Sequence, residues 1–178
     1  MKDEKKKKIK TDLILKETSA NYIRLIGDAD RKARIMLVVN SIFLTLSVTL
    51  ITKVIGDVKY GWLFASILML SNVISLFFSV QSIKPEFAQV NNEEAENNIL
   101  HYKKSSELTL DEYRSQINLT LTDDAQKMDA FIRELYFYGK LLTIKYRLLK
   151  KAYLFFFLGY PFGYSLLRFY HNYGQAVN

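Results

Sequence analysis

Apolar positions along this chain gather into three long blocks separated by polar, lysine-rich stretches. The first runs from Ile35 to Ile55, about 21 residues, and as a helix reaches roughly 32 Å, enough for a hydrocarbon core of about 30 Å. Its one charge, Lys53, stands near the end, where a long side chain snorkels to the interface. The second block, Gly61 to Ile83, is uncharged and opens with Trp62, as an interfacial aromatic would. Gly56 to Tyr60 is a short turn, so these two spans form an antiparallel hairpin. The third block, Ala152 to Leu167, is uncharged and carries Pro161, which predicts a kink or a break in the regular hydrogen bonding. Tyr153, Tyr164, Tyr170 and Arg168 flank it as headgroup anchors.

A second pattern runs through the polar stretches. Ile23, Ile26, Asp30, Ala33, Leu37, Asn40, Leu44, Ser47 and Ile51 alternate three and four apart, as do Met128, Ile132, Leu135, Gly139, Leu142, Tyr146, Leu149 and Tyr153. These are heptad seams, and they predict that the first and third spans continue into long helices outside the membrane. Residues 84 to 106 read as a polar loop or poorly packed helix. Thr109 and Glu112 form a capping box for a short helix to Asn118, and Thr122 is the expected cap of the long helix that follows.

Lysine and arginine set the orientation. They crowd the region before Ile35 and the segment from Lys84 to Lys151, whereas the Gly56 to Tyr60 turn has only Lys59. The positive-inside rule places both basic regions in the cytoplasm. The expected fold is an all-α membrane protein, three transmembrane helices with long cytoplasmic helical extensions forming a helical bundle. Its parts are a basic cytoplasmic helix (1–34), a transmembrane hairpin (35–83, spans 35–55 and 61–83), a cytoplasmic helical region (84–151), a third span (152–170) and a short outside tail (171–178). No run of small residues after a basic leader marks a cleaved signal peptide.

Composition sharpens this picture in two ways. The net charge of +7 falls beside the apolar blocks, so topology and anionic headgroups account for it without nucleic acid. The chain has 178 residues, 7 Gly, 2 Pro and no Cys, which favours long helices and excludes disulfides and thiolate metal sites. Histidine occurs only at His101 and His171, and no phosphate loop, serine elbow or His-Glu metal motif is present, so no enzymatic activity and no cofactor are expected.

Two side-chain groups carry candidate chemistry. Ser71, Ser75, Ser79 and Ser82 lie near one face of the second span, with Asn72 beside them. Helix packing through small residues explains them; a water path formed on oligomerisation is the alternative. Arg31, Lys32, Arg133, Lys140, Lys145 and Arg147, with Tyr136, Tyr138 and Tyr146, combine cations for a phosphate with aromatic faces for a base. The plainer reading of the same cations is membrane topology. Asp30 and Asn40 occupy seam positions, where they serve either as register-fixing bonds or as coupling contacts at the membrane boundary, and Gly139 sits on the other seam.

Certain stretches resemble a known family. Ala29-Asp30-Arg31-Lys32-Ala33-Arg34-Ile35-Met36-Leu37, followed by Asn40, is similar to the entry to the first span in Pycsar transmembrane effectors. Leu110-Asp111-Glu112-Tyr113, Arg133-Glu134-Leu135-Tyr136-Phe137-Tyr138-Gly139-Lys140, Lys145-Tyr146-Arg147-Leu148-Leu149 and Ala152-Tyr153 resemble its cytoplasmic region and last span. The likeness covers roughly Asp28 to Leu167. The Lys-rich N-terminus and the Pro161 region depart from it. It implies a bacterial inner-membrane protein in antiphage defence. A partner pyrimidine cyclase makes cyclic CMP or cyclic UMP, and the effector responds by impairing the membrane, which aborts infection. Partners on this view are lipids, the cyclic pyrimidine nucleotide, the cyclase and further copies of the chain in a homo-oligomer. The ligand set expected from the basic-aromatic cluster is Arg31, Lys32, Arg133, Tyr136, Lys140, Lys145, Tyr146 and Arg147, with Asp30, Asn40 and Gly139 in coupling or packing. The rival readings are a membrane-anchored interaction subunit that recruits a partner through its coiled-coil helix, and a constitutive holin-like pore.

Overall fold

A computed structural model of the chain describes residues 2–54, 61–84 and 98–176, and all its elements are helices: α1 (Lys2–Val54), α2 (Gly61–Ile83), α3 (Tyr102–Glu107), α4 (Leu110–Thr122) and α5 (Asp124–Ala176). The Gly56 to Tyr60 turn, and residues 85–97 of the expected polar loop, lie outside the described residues. Contacts divide the chain into two units. One comprises residues 1–28 and 86–143, the other residues 29–85 and 144–178, so α1 and α5 each contribute to both.

The ends of the short helices follow from local chemistry. Thr109 caps α4: its hydroxyl accepts from the Glu112 amide while the Glu112 carboxylate accepts from the Thr109 amide, the reciprocal box expected. The second cap is different. Thr122 is the last residue of α4 and turns its hydroxyl back to the Asn118 carbonyl, and Asp123 accepts from the Ala125 amide at 2.9 Å to start α5. The shorter, charged side chain takes the N-terminus because a carboxylate also answers the positive end of the helix dipole. Helix α5 then runs through Pro161 to Ala176, so the proline removes one hydrogen bond without ending the helix.

In the unit of residues 29–85 and 144–178, three helices meet through small and polar side chains. Ala29, Ala33, Met36 and Asn40 of α1 are buried, as are Ala65, Leu68, Asn72, Ser75, Ser79 and Ser82 of α2 and Leu149, Ala152 and Phe156 of α5. Phe43 meets Phe156 edge-on at 5.4 Å, and Phe78 stacks on Phe155 at 5.6 Å. Hydroxyl bonds cross between helices: Ser75 Oγ donates to the Ala152 carbonyl at 2.8 Å and Asn40 Nδ2 donates to Ser75 Oγ at 3.0 Å. The serine row therefore packs α2 against α5. At Gly159 a Cβ would collide with Ser71, so the helices approach as closely there as only glycine permits.

The outside of this unit is the reverse of a water-soluble protein. Val38 is 60% exposed, Leu70 61% and Phe77 57%, while Asn40, Asn72 and Ser75 have no exposure. Large apolar groups outside and small polar groups inside are what lipid solvation demands, since association in lipid is driven by packing and hydrogen bonds. Among the described residues two helical segments are long and apolar enough to cross a membrane, one in α1 within Ile9–Thr49 and one in α2, Ala65–Ile83. The third expected span lies within α5, and its side chains at Tyr160 and from Phe162 onward lie outside the described residues, as do those of His171 to Asn178.

The expected seams are rotated. Ala33, Asn40, Ser47 and Leu149 are buried as expected, but Ile23 and Ile132 are exposed and the inner line runs instead through Ala29, Met36, Phe137 and Leu141.

In the other unit, α3, α4 and the first turns of α5 pack with the N-terminal part of α1 around Ile99, Ala130, Phe137 and Leu141. Asn98 Nδ2 donates to the Ala130 carbonyl at 2.7 Å, which ties the turn before α3 onto α5. Lys127 pairs with Asp12 at 3.1 Å, joining α5 to α1.

Candidate ligand site

The expected cations have different surroundings. Lys145 is buried and its ammonium is held by Asp30 at 2.5 Å and by the Ser82 carbonyl at 3.0 Å. Its charge is spent inside the unit, and Asp30 has its partner there. Asn40 donates to the Met36 carbonyl and to Ser75. On the same unit Lys32 lies 5.6 Å over the Tyr146 ring, and Arg31 and Arg147 are exposed. In the other unit Arg133 pairs with Asp129 at 2.7 Å, and Lys140 stands 4.5 Å over the exposed ring of Tyr136. The structure thus brings Lys32 to Tyr146 and Lys140 to Tyr136, and it divides the expected ligand residues between two units. Gly139, expected on a packing seam, makes no close approach: a Cβ there would meet nothing within 4 Å.

Among the described residues, concavities open in the unit of residues 1–28 and 86–143. A groove of about 370 Å³ lies between α4 and α5 and is lined by Asn98, Gln116, Thr120, Gln126, Asp129 and Arg133 among others. Arg133, its one cation among the described residues, is already paired with Asp129. The second is larger, about 570 Å³, and is formed by Ile23 and Ile26 of α1, the turn at Leu100 and His101, Tyr102 and Ser105 of α3, and Glu134, Phe137, Tyr138 and Leu141 of α5.

The second cavity holds groups with unused hydrogen-bonding capacity. His101 is 2% exposed, and neither ring nitrogen has a hydrogen-bond partner among the described residues. Its imidazole is fixed in place by the Phe137 ring, edge-on at 4.7 Å. Glu134 Oε2 is likewise buried without a partner. Burial pushes the Tyr138 phenol far above its usual value, and a hydrogen bond to Glu134 and the negative charge of that carboxylate push it further. At neutral pH Tyr138 therefore stays an O–H donor and steadies the Glu134 side chain. An apolar cavity with a few convergent, unsatisfied polar groups is the general form of a small-molecule site.

Sequence reasoning missed His101 as a site residue. No local motif marks it; its burial comes from Phe137, which is 36 positions away and lies on another helix.

A protein-family model described as the Pycsar effector protein domain matches residues 14–169. No curated protein and no solved structure gives a significant match.

Proposed function

The chain belongs to the Pycsar effector protein family, and on that premise we propose that this membrane-associated antiphage effector is switched on by a cyclic pyrimidine nucleotide. A partner pyrimidine cyclase supplies cyclic CMP or cyclic UMP on infection. The liganded effector, as a homo-oligomer in the bacterial inner membrane, then impairs that membrane and aborts the infection. The chain needs no catalytic residues or cofactor of its own for this work. The N-terminus and residues 84–151 face the cytoplasm, where the messenger is made, three spans cross the bilayer, and the C-terminus lies outside.

The observation that carries the reading is the family match over nearly the whole chain together with the inverted exterior of the second unit. On this reading the liganded state repacks that unit, its buried hydroxyl and amide groups exchanging partners. A ligand drives such a change only by binding one state more tightly than the other. Helices α1 and α5, which contribute to both units, connect the ligand-bearing unit to the apolar one. Arg133, Lys140 and Tyr136 on the first unit, and Arg31, Lys32, Tyr146 and Arg147 on the second, supply cations and rings for the messenger's phosphate or for lipid headgroups.

Reconstitution tests this directly. Full-length protein in dye-loaded vesicles of inner-membrane lipids should release dye on addition of cyclic CMP or cyclic UMP, and not on addition of cyclic AMP. Release without any nucleotide would identify a constitutive pore. No release with either pyrimidine nucleotide, alongside nucleotide-independent capture of a partner protein, would identify an interaction subunit.

A further inference from the structure

We propose that the cavity bounded by α1, α3 and α5 is a nucleobase pocket, and that it selects cytosine over uracil. The assignment rests on the reading above that the messenger is a cyclic pyrimidine nucleotide.

The size fits, since about 570 Å³ lies within the range of roughly 300–1,000 Å³ typical of small-molecule pockets. The lining has no Lys or Arg among the described residues, so the cavity takes the uncharged base and leaves the phosphodiester outside. Phe137 and Tyr102 bring aromatic surface to the wall, suited to the flat face of a pyrimidine. What remains is the pattern of unsatisfied polar atoms. Glu134 Oε2 is a buried acceptor, and the His101 imidazole offers an N–H donor.

Cytosine answers that pattern. Its N4 amino group donates, and a glutamate carboxylate is a natural acceptor for it. Its N3 and O2 accept, and the His101 N–H is the available donor. Uracil carries a carbonyl oxygen where cytosine has the amino group, which would place lone pairs against the Glu134 carboxylate. It also carries N3–H where cytosine accepts. A site built around buried polar groups rejects the analogue that leaves them unpaired.

The test uses the full chain in lipid nanodiscs, with histidine labelled by ¹⁵N, titrated with cyclic CMP and cyclic UMP. Only His101 and His171 contribute imidazole signals. Cyclic CMP should bind about tenfold or more tightly than cyclic UMP, the scale of one specific base contact. It should move the His101 imidazole resonances while those of His171 stay. Glu134→Gln adds a donor beside an acceptor, so it should bring the ratio of the two affinities close to one. Equal affinities in the wild type, or unmoved His101 signals on saturation with cyclic CMP, would overturn the base pocket while the messenger reading stands. Binding of neither nucleotide would overturn both. Should the Glu134→Gln protein fail to fold, the wild-type affinities and histidine signals still decide between these outcomes.

Discussion

Lys145 and Asp30 form a pair whose value depends on keeping both members. Removing one partner of a fully buried pair costs about 3–5 kcal/mol, and less where one member is part-exposed as Asp30 is, because the other charge is left without an answer, whereas replacing both by apolar groups is often neutral. Lys145→Met alone should therefore lower the thermal midpoint of the protein in detergent, and Lys145→Met with Asp30→Leu should recover most of the loss. A double variant no more stable than the single one would show that the pair is not what holds this position. Gly139 and Gly159 of α5 make a sharper contrast. Gly159→Ala drives a methyl into Ser71 and should cost about 1–3 kcal/mol as overpacking. Gly139→Ala meets open space and should gain about 0.5–1 kcal/mol from helix propensity. Helix melting followed at 222 nm separates them, and equal shifts in the same direction would contradict the close approach at Gly159.

At the scale of elements, the α4 capping box gives a pH signature. Its backbone and side-chain bonds from Thr109 hold the Glu112 carboxyl below its usual value. A lowered folded pKa means that the group stabilises the helix start above the ordinary glutamate value, about 4.3, and loses this as pH falls through the folded pKa. Amide hydrogen exchange at the start of α4, corrected for the intrinsic pH dependence, should accelerate below about pH 4 in the wild type. In Thr109→Ala it should be fast already at neutral pH; exchange equally slow in that variant would show that the box does not hold the helix. This box was legible because its signal is local and its spacing fixed. Helix α1 was legible as well, since periodicity and the absence of breakers from Lys2 to Val54 need no tertiary partner. The faces were less so. The serine face of α2 could be read from its spacing, but Ile132 satisfies a heptad yet points outward while Phe137 and Leu141 take the inner line of that stretch, and in the apolar unit Ala29 is buried although it stands off the expected seam. Burial in a membrane helix follows size and hydrogen bonding, which a hydrophobic count does not measure. The His101 cavity was illegible for a different reason: it exists only where three distant segments converge.

For the molecule as a whole, membership in the Pycsar effector family and the inverted exterior of one unit agree on a protein that works in a membrane. Its other unit carries a cavity with the groups a small ligand would pair. On the proposed function these are sensor and output. The decisive measurement is membrane potential in cells that express the chain with a pyrimidine cyclase, read by a potential-sensitive dye while cyclic nucleotide is quantified in the same culture. The account predicts depolarisation that follows messenger accumulation and is absent with an inactive cyclase. Full polarisation in the presence of accumulated cyclic pyrimidine nucleotide, or equal depolarisation with the inactive cyclase, would contradict it.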